Sequence, residues 1–399
     1  MLKKILLANV DGNAGSTGKI THDLYTSLNG DGYQAAIAHG RGMDIHEPGV
    51  FKFGIPAETY IHAGLARLTG YNGRFSPLST RRLLRFIDNY QPDIVNLHEM
   101  YAYFVDIGTL IRYLRENHIP TVWTLHCEEM YTGKCGHAFE CTRYKTGCGH
   151  CPAVHEYPKS LWVDHTHELW EEKQKLFEGW AVTLVTPSQW LADRVKGSFL
   201  RDKRLEVIHN GIDTSIFHPQ DASSLRREFH LEGKKVVLSV MPDIHNKDKG
   251  ADKVLAISKL MPDIQFVIAG ADKTETYTDN CLLIQRTRDQ NRLAEWYSLA
   301  DVYLICSKRE NFPTTCIEAM CCGAPVVGID GGGTKETVPS PYGVFCPESE
   351  DLTELCEAIR RQIMREYTHE SIGAQGIRRY SAKVMYQHYL ELFHNVNSR

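Results

Sequence analysis

The sequence predicts an α/β chain of two doubly wound domains, and three observations lead there. Short runs rich in Val, Ile and Leu alternate with longer stretches of helical pattern. The alternation runs twice along the chain. A length of 399 residues exceeds what one hydrophobic core usually serves, so two domains are expected.

Candidate strands of the first run are Ile5–Val10, Ala35–Ala38, Ile94–Leu97, Thr121–Leu125, Thr183–Thr186 and Leu205–Ile208. Those of the second are Lys235–Val240, Gln265–Ala269, Cys281–Ile284, Val302–Ile305 and Pro325–Ile329. Continuous apolar strands separated by helices are parallel strands covered on both faces, which is the doubly wound arrangement. The weakest point between the runs is His218–Ser224, a proline among polar residues. The expected domains are therefore 1–217 and 218–379. The last helix, Ala382 to Val396, carries Tyr386, Tyr389 and Phe393. Residues from about 380 to 399 have two destinations open, their own domain or the first.

Composition narrows the classes. With 24% charged residues and a net charge of -4, the chain lacks the basic excess of a nucleic-acid binder. Two lysines precede the apolar run Ile5–Val10, as in a signal peptide, but the run is short and Asp11 ends it. No segment approaches the ~18 apolar residues of a membrane span. The expected location is the cytoplasm, with peripheral contact at the inner face of the membrane left open. Arg81, Arg82 and Arg85 are the basic helical run available for such contact, and a solvated helix face is the plainer reading.

The first candidate strand ends in Asp11-Gly-Asn-Ala-Gly15-Ser16-Thr17-Gly18-Lys19. A small-residue loop feeding a helix lets backbone N–H groups meet an anion. A Walker loop needs glycine at position 13 and Ser or Thr at 20, where this chain has Asn13 and Ile20. The dinucleotide fingerprint is absent as well. Two readings remain: a tight strand–helix turn, or a loop in which Gly15 and Ser16 approach a ligand phosphate or acceptor sugar.

The most informative segment is Cys306-Ser-Lys-Arg-Glu310-Asn-Phe-Pro313-Thr-Thr-Cys-Ile-Glu318. It follows a candidate strand. Pro313 suits the first turn of a helix, and Gly323 with Pro325 stops it. Glu310 then lies on the loop and Glu318 within the helix. Loop amides and the helix N-terminus form a place for a phosphate, and carboxylates suit sugar and ribose hydroxyls because each accepts several hydrogen bonds. Taken alone, the pair reads first as one cap-region charge and one surface glutamate.

The rest of the chain shifts that balance. The segment resembles the E-x7-E motif of retaining glycosyltransferases of the GT-B fold, especially glycosyltransferase family 4. Val185-Thr-Pro187-Ser188-Gln-Trp190, Asn210-Gly211-Ile-Asp213 with its flanks, Lys249-Gly250 and Gly331-Gly-Gly-Thr-Lys-Glu336 resemble further motifs of that family, in the right order. The resemblance implies two Rossmann-like domains facing across a cleft. It implies that Glu310 lies near the donor sugar, that Glu318 holds the ribose hydroxyls, and that Lys249 neutralises the diphosphate leaving group. Asn311, Phe312 and Thr314 would line the sugar and phosphate site. His126 would stand close to the reacting sugar, a satisfied strand-end histidine being the plainer reading, and Gly15 and Ser16 would face the cleft. Two positions depart from the pattern. The arginine usual before the lysine is missing, leaving Lys247 or His245 to substitute, and Cys127 stands where the family usually has aspartate after the histidine. Lys249, loop amides and a helix end can stabilise the leaving diphosphate, so no catalytic metal is expected.

Of twelve cysteines, eight are scattered or in apolar runs (Cys127 among them) and read as buried thiols. Cys135, Cys141, Cys148 and Cys151 cluster, the last two as C-x2-C among glycines, with His137 and His150 nearby. Structural zinc is the leading reading; an iron–sulfur or redox site and plain reduced thiols stay open. A similar cysteine-rich insert occurs in colanic-acid-type transferases.

Three functions are thus carried forward. The first is a retaining glycosyltransferase of hexosyltransferase type, moving a sugar from a nucleotide-sugar donor to a glycan or lipid-linked acceptor in bacterial surface polysaccharide assembly. The second is a sugar-nucleotide epimerase or phosphorylase on the same fold. The third is a non-catalytic sugar-nucleotide-binding protein.

Overall fold

The computed structural model describes residues 2–101 and 103–398. Its strands are β1 (Lys4–Asn9), β2 (Gln34–His39), β3 (Val50–Lys52), β4 (Ile94–Leu97), β5 (Thr121–Thr124), β6 (Thr183–Thr186) and β7 (Arg204–Val207), then β8 (Val236–Val240), β9 (Gln265–Ala271), β10 (Glu275–Thr278), β11 (Cys281–Gln285), β12 (Val302–Ile305), β13 (Val326–Ile329) and β14 (Gly343–Cys346). They form two seven-stranded sheets, in the orders β3-β2-β1-β4-β5-β6-β7 and β10-β11-β9-β8-β12-β13-β14. The pairs of the first sheet are parallel. In the second, β10 is antiparallel to β11 and the other pairs are parallel.

Both faces of each sheet are covered, which explains the continuous apolar strands. Along β1, Leu6 and Ala8 enter one core, whereas Ile5 and Leu7 enter another. Along β8, Val236 and Leu238 face one core and Val237 the other. Side chains alternate across a strand, so a strand buried on both faces must be apolar at every position. Three strands were not expected from sequence. β3, β10 and β14 lie at sheet edges, and most of their residues are half-buried or exposed.

The chain divides into two compact units, Met1–His209 with Met385–Arg399, and Asn210–Val384. The segment 210–217, expected at the end of the first domain, belongs to the second unit. Its backbone explains why: Ile212 N–H donates to the Tyr380 carbonyl at 2.8 Å and Ala382 N–H to the Ile212 carbonyl at 2.8 Å, while Phe217 is buried in the second unit's core. Residues 380–384 stay there too. The rest of the final helix, Ala382–Asn397, packs on the first unit. Met385, Tyr386, Tyr389, Leu392 and Phe393 share a core with Ile5, Leu7 and Val122. Tyr389 Oη lies 3.0 Å from Thr124 Oγ1, and Tyr386 Oη donates to Asp31 at 2.6 Å.

Candidate active site

In the second unit the loop after β12 is strapped down along its backbone. Lys308 N–H donates to Asp248 O at 3.0 Å, Glu310 N–H to Gly331 O at 3.1 Å, and Gly333 N–H to Glu310 O at 2.8 Å. Asn210 Nδ2 donates to Phe312 O at 3.2 Å. The glycines follow from this closeness. Gly332 has φ +75°, and a Cβ there would stand 2.3 Å from Glu310 O; one at Gly331 would stand 2.5 Å from Lys308 O. Only glycine adopts that conformation at such range without strain.

The strapped loop aims the Glu310 carboxylate at Lys249, whose Nζ stands 2.6 Å from Glu310 Oε1. Lys249 closes the short turn Lys247–Lys249 before the helix Ala251–Leu260, with Gly250 at φ 72° between them. A Cβ at Gly250 would stand 2.2 Å from Cys306 O, so this turn and the end of β12 are pressed together. Lys247 is exposed on the same turn, and His245 pairs with Asp272 at 3.1 Å. The helix Thr314–Cys321 begins after Pro313 without a side-chain cap; its first amides therefore point outward as hydrogen-bond donors. Thr314 is half-buried at its first position. Glu318 lies one turn on and accepts from Tyr297 Oη at 3.0 Å. Asn311 is buried, and the Phe312 ring is buried against Tyr380. The Phe312 side chain thus serves the core, while its carbonyl accepts from Asn210.

In the first unit the polar side chains gather at the carboxyl ends of β1, β4 and β5. Asn9, fully buried, accepts the Glu99 N–H at 3.1 Å and donates to Asp11 O at 2.9 Å. His126 Nε2 is 3.1 Å from His98 Nδ1, and His98 Nε2 is 2.8 Å from Asn96 Oδ1. Burial lowers the His126 pKa to about 4, so the ring is neutral at pH 7. Cys127 Sγ donates to Glu99 Oε1 at 3.3 Å. Burial, reinforced by Glu129, raises the Glu99 carboxyl to about 7 against the hydrogen bond from Cys127. Cys127 is half-buried, which corrects its reading as a buried thiol; burial and then the Glu99 carboxyl push its thiol well above the usual range. Gly15 (φ 70°) and Ser16 are exposed at the start of the helix Gly15–Gly30. A Cβ at Gly15 would meet nothing within 4 Å; the glycine serves the turn, and the loop is open above it.

Sequence reasoning passed over Asn9, Glu99 and Tyr297, and quoted Asn210 only as part of a motif. Asn9 and Glu99 carry a legible signal, a polar residue closing an apolar strand, because ligands of such sheets bind at the strands' carboxyl ends. Tyr297 lies mid-helix and gives no comparable sign.

Cys135, Cys141, Cys148 and Cys151 all line one small cavity of about 20 Å³ with Thr132, Lys134 and Tyr144. Gly133 N–H donates to Cys148 Sγ at 3.2 Å. The Lys134 ammonium donates to the carbonyls of Ala153, Val154 and Glu156 at 2.7–2.9 Å. His137 and His150 are exposed. Among the described residues, no group of three or more His, Cys, Asp or Glu side chains stands in metal-holding geometry.

Comparison with known proteins agrees with this layout. The family model described as Glycosyl transferases group 1 matches residues 221–379. The model of Glycosyltransferase Family 4 matches residues 17–216, half of the chain. The chain belongs to glycosyltransferase family 4. This family 4 glycosyltransferase is 25% identical over 329 residues to the putative colanic acid biosynthesis glycosyl transferase WcaC of Escherichia coli, covering 76% of this chain and 77% of that one. It is 20% identical to the N-acetyl-alpha-D-glucosaminyl L-malate synthase of Bacillus anthracis over 44% of this chain and 48% of that one. Among solved structures, sucrose-phosphate synthase from Thermosynechococcus elongatus superposes with a TM-score of 0.73 at 17% identity, covering 99% of each chain. Anabaena Alr3699/HepE, in complex with UDP-glucose, gives 0.65 at 15% over 98% of this chain and 99% of that one. These likenesses establish the GT-B fold. The epimerase and non-catalytic readings find no support among the relatives. Among the described residues, no helix of this glycosyltransferase is long and apolar enough to cross a membrane.

Proposed function

We propose that this glycosyltransferase moves a hexose from a nucleotide-sugar donor to a hydroxyl of a glycan or lipid-linked acceptor, with retention of configuration, in bacterial surface polysaccharide assembly. The observation that carries this reading is the Lys249–Glu310 pair at 2.6 Å on a loop strapped by Gly331–Gly333. A sugar–phosphate bond breaks with positive charge growing on the sugar and negative charge on the diphosphate. Lys249 and the uncapped amides at Thr314 supply fixed positive charge for the phosphates. Glu310 orients the donor sugar, Glu318 accepts the ribose hydroxyls, and Lys247 adds a nearby cation. Asn311, Phe312 and Thr314 contribute backbone or side-chain hydrogen bonds along that side. The first unit supplies the acceptor side, with His126, Gly15 and Ser16.

The support from relatives is consistent in kind: the first is named for colanic acid biosynthesis, and a structural neighbour holds UDP-glucose. Side chains and amides carry the chemistry, so the reaction runs without a catalytic metal, inside the cytoplasm or at the inner membrane face. The test is nucleoside diphosphate release from a panel of nucleotide sugars, with and without lipid-linked acceptors. Release with one donor is expected; silence across the panel overturns the reading.

The four cysteines line one small cavity and a backbone N–H donates to Cys148, so we extend the proposal to a structural zinc held by their sulfurs. Among the described residues they stand outside metal-holding geometry, and binding requires their side chains to rearrange. One equivalent of zinc in protein purified without chelators is expected, and Cys148→Ser should lower it to near zero. Metal-free wild type of unchanged thermal stability would reject the assignment.

A further inference from the structure

The first unit holds a carboxylate that the donor and acceptor roles assigned above do not use. Strand β1 lies between β2 and β4, so successive connections leave it toward opposite sides. In such sheets the crevice at that switch point, beyond the carboxyl ends of the strands, is where ligands bind. Two segments border it here, the glycine loop after β1 and Glu99 after β4. Asn9 fixes both, through its bonds to Asp11 O and to Glu99 N–H.

The neighbouring carboxylates are engaged, except for Glu129 Oε2, which is buried out of reach of solvent. Asp11 accepts the amides of Asn13 and Ala14 at 3.2 and 2.9 Å. Glu128 accepts Ala138 N–H at 2.7 Å and Tyr131 Oη at 2.9 Å, and pairs with Arg194 at 2.5 Å. Glu129 pairs with Lys173 at 2.5 Å. Among the described residues Glu99 receives one hydrogen bond on its carboxylate, from the Cys127 thiol. A carboxylate offers about four acceptor positions, and a thiol is a weak donor. Glu99 is half-buried, and its remaining acceptor positions take no hydrogen bond from the described residues. His126 is less suited to this role, because its Nε2 is already against His98.

We propose that Glu99 accepts a hydrogen bond from a hydroxyl of the acceptor's terminal sugar, with Cys127 fixing the direction of its carboxylate. This rests on the transferase reading above and names the residue that recognises the acceptor. The role is binding and orientation, so it is felt in the acceptor's KM. The ionisable groups facing Glu99 are Cys127 and Glu129, beyond β5, and Tyr157; Asn9, on the β1 side, is neutral.

The experiment compares wild type, Glu99→Gln and Cys127→Ser with the donor found in the nucleotide-sugar panel. Donor hydrolysis by water is followed without acceptor. Transfer is followed with octyl glycosides of glucose, galactose, mannose and N-acetylglucosamine. Glu99→Gln should keep hydrolysis within about twofold while raising the acceptor KM by about 10- to 100-fold, the range for a hydrogen bond to a charged group. The acceptor kcat/KM of wild type should rise with pH through a group near 7; Glu99→Gln should flatten that rise and Cys127→Ser keep it. An unchanged acceptor KM in Glu99→Gln overturns the proposal. So does an equal fall in hydrolysis and transfer, which marks a purely structural role, or wild-type hydrolysis that no glycoside stimulates. Absence of nucleoside diphosphate release from wild type would instead overturn the transferase reading itself.

Discussion

The Lys249–Glu310 pair stores a competition. The ammonium proposed for phosphate oxygens rests on a carboxylate 2.6 Å away, so in that role a diphosphate must win it from Glu310. Lys249→Ala should lower turnover by about 10²–10³, the usual cost of removing one donor from a developing anion. Glu310→Gln should tighten nucleoside diphosphate binding while slowing transfer; calorimetry with UDP and GDP checks the first half. Weaker diphosphate binding by Glu310→Gln would mean that the pair is cooperative, not competitive. Glu99 gives a prediction of a different kind. Its carboxyl titrates near 7 in the fold against 4.5 in the open chain. Between those values the unfolded chain loses the proton first, so the folded state binds more protons and stability falls as pH rises. The penalty is fully present above pH 7 and is on the order of 3 kcal/mol. Melting curves at pH 5 and pH 8 should show Glu99→Gln gaining on wild type at the higher pH; a constant difference would contradict the shift.

Among the elements, the strand–loop–helix unit from Val302 to Cys321 carries the proposed donor side, and its loop is held from outside it. Gly331, Gly332 and Asn210 hold its backbone. Gly332→Ala must place a Cβ 2.3 Å from Glu310 O at φ +75°. Such strain costs about 1–3 kcal/mol and moves Glu310 off Lys249. A lower melting temperature and a loss of nucleotide affinity are expected together; unaltered affinity would show that the strap does not position the loop. The legibility of the fold follows burial. Strands covered on both faces, such as Ile94–Leu97 and Val302–Ile305, announce themselves as apolar runs. Edge strands such as Glu275–Thr278 mix in polar residues and do not. Of the candidate site, Glu310 and Glu318 stood out in sequence by their fixed spacing and Lys249 by the likeness of Lys249-Gly250 to a family motif; the structure brings Glu310 and Lys249 together. The contacts of Asn210, Gly332 and Tyr297 were not legible, although the first two lay in quoted motifs, because they run across long stretches of sequence and only the fold shows them.

For the whole molecule, the first unit is discontinuous, since Met385–Arg399 returns to it after the second unit is complete. Phe393 is fully buried there with Leu392 and Tyr389. Phe393→Ala should destabilise the first unit by about 3–5 kcal/mol, read as an early unfolding step in calorimetry with the second unit's transition unmoved. A chain ending at residue 384 should expose Ile5, Leu7 and Val122 of that core and aggregate; a soluble, cooperatively melting product would show that the helix adds little.

That return also fixes an order of events on the ribosome. Domains emerging from synthesis generally fold as units, the N-terminal one first. Here the second-made unit, Asn210–Val384, is contiguous in sequence, whereas the first-made unit is completed only by Met385–Val396. The first-made unit waits with one apolar sheet face uncovered until Met385–Val396 emerges. The nascent chain therefore presents a chaperone-sized apolar surface for as long as translation of the second unit lasts, and slowing synthesis near its end prolongs that exposure.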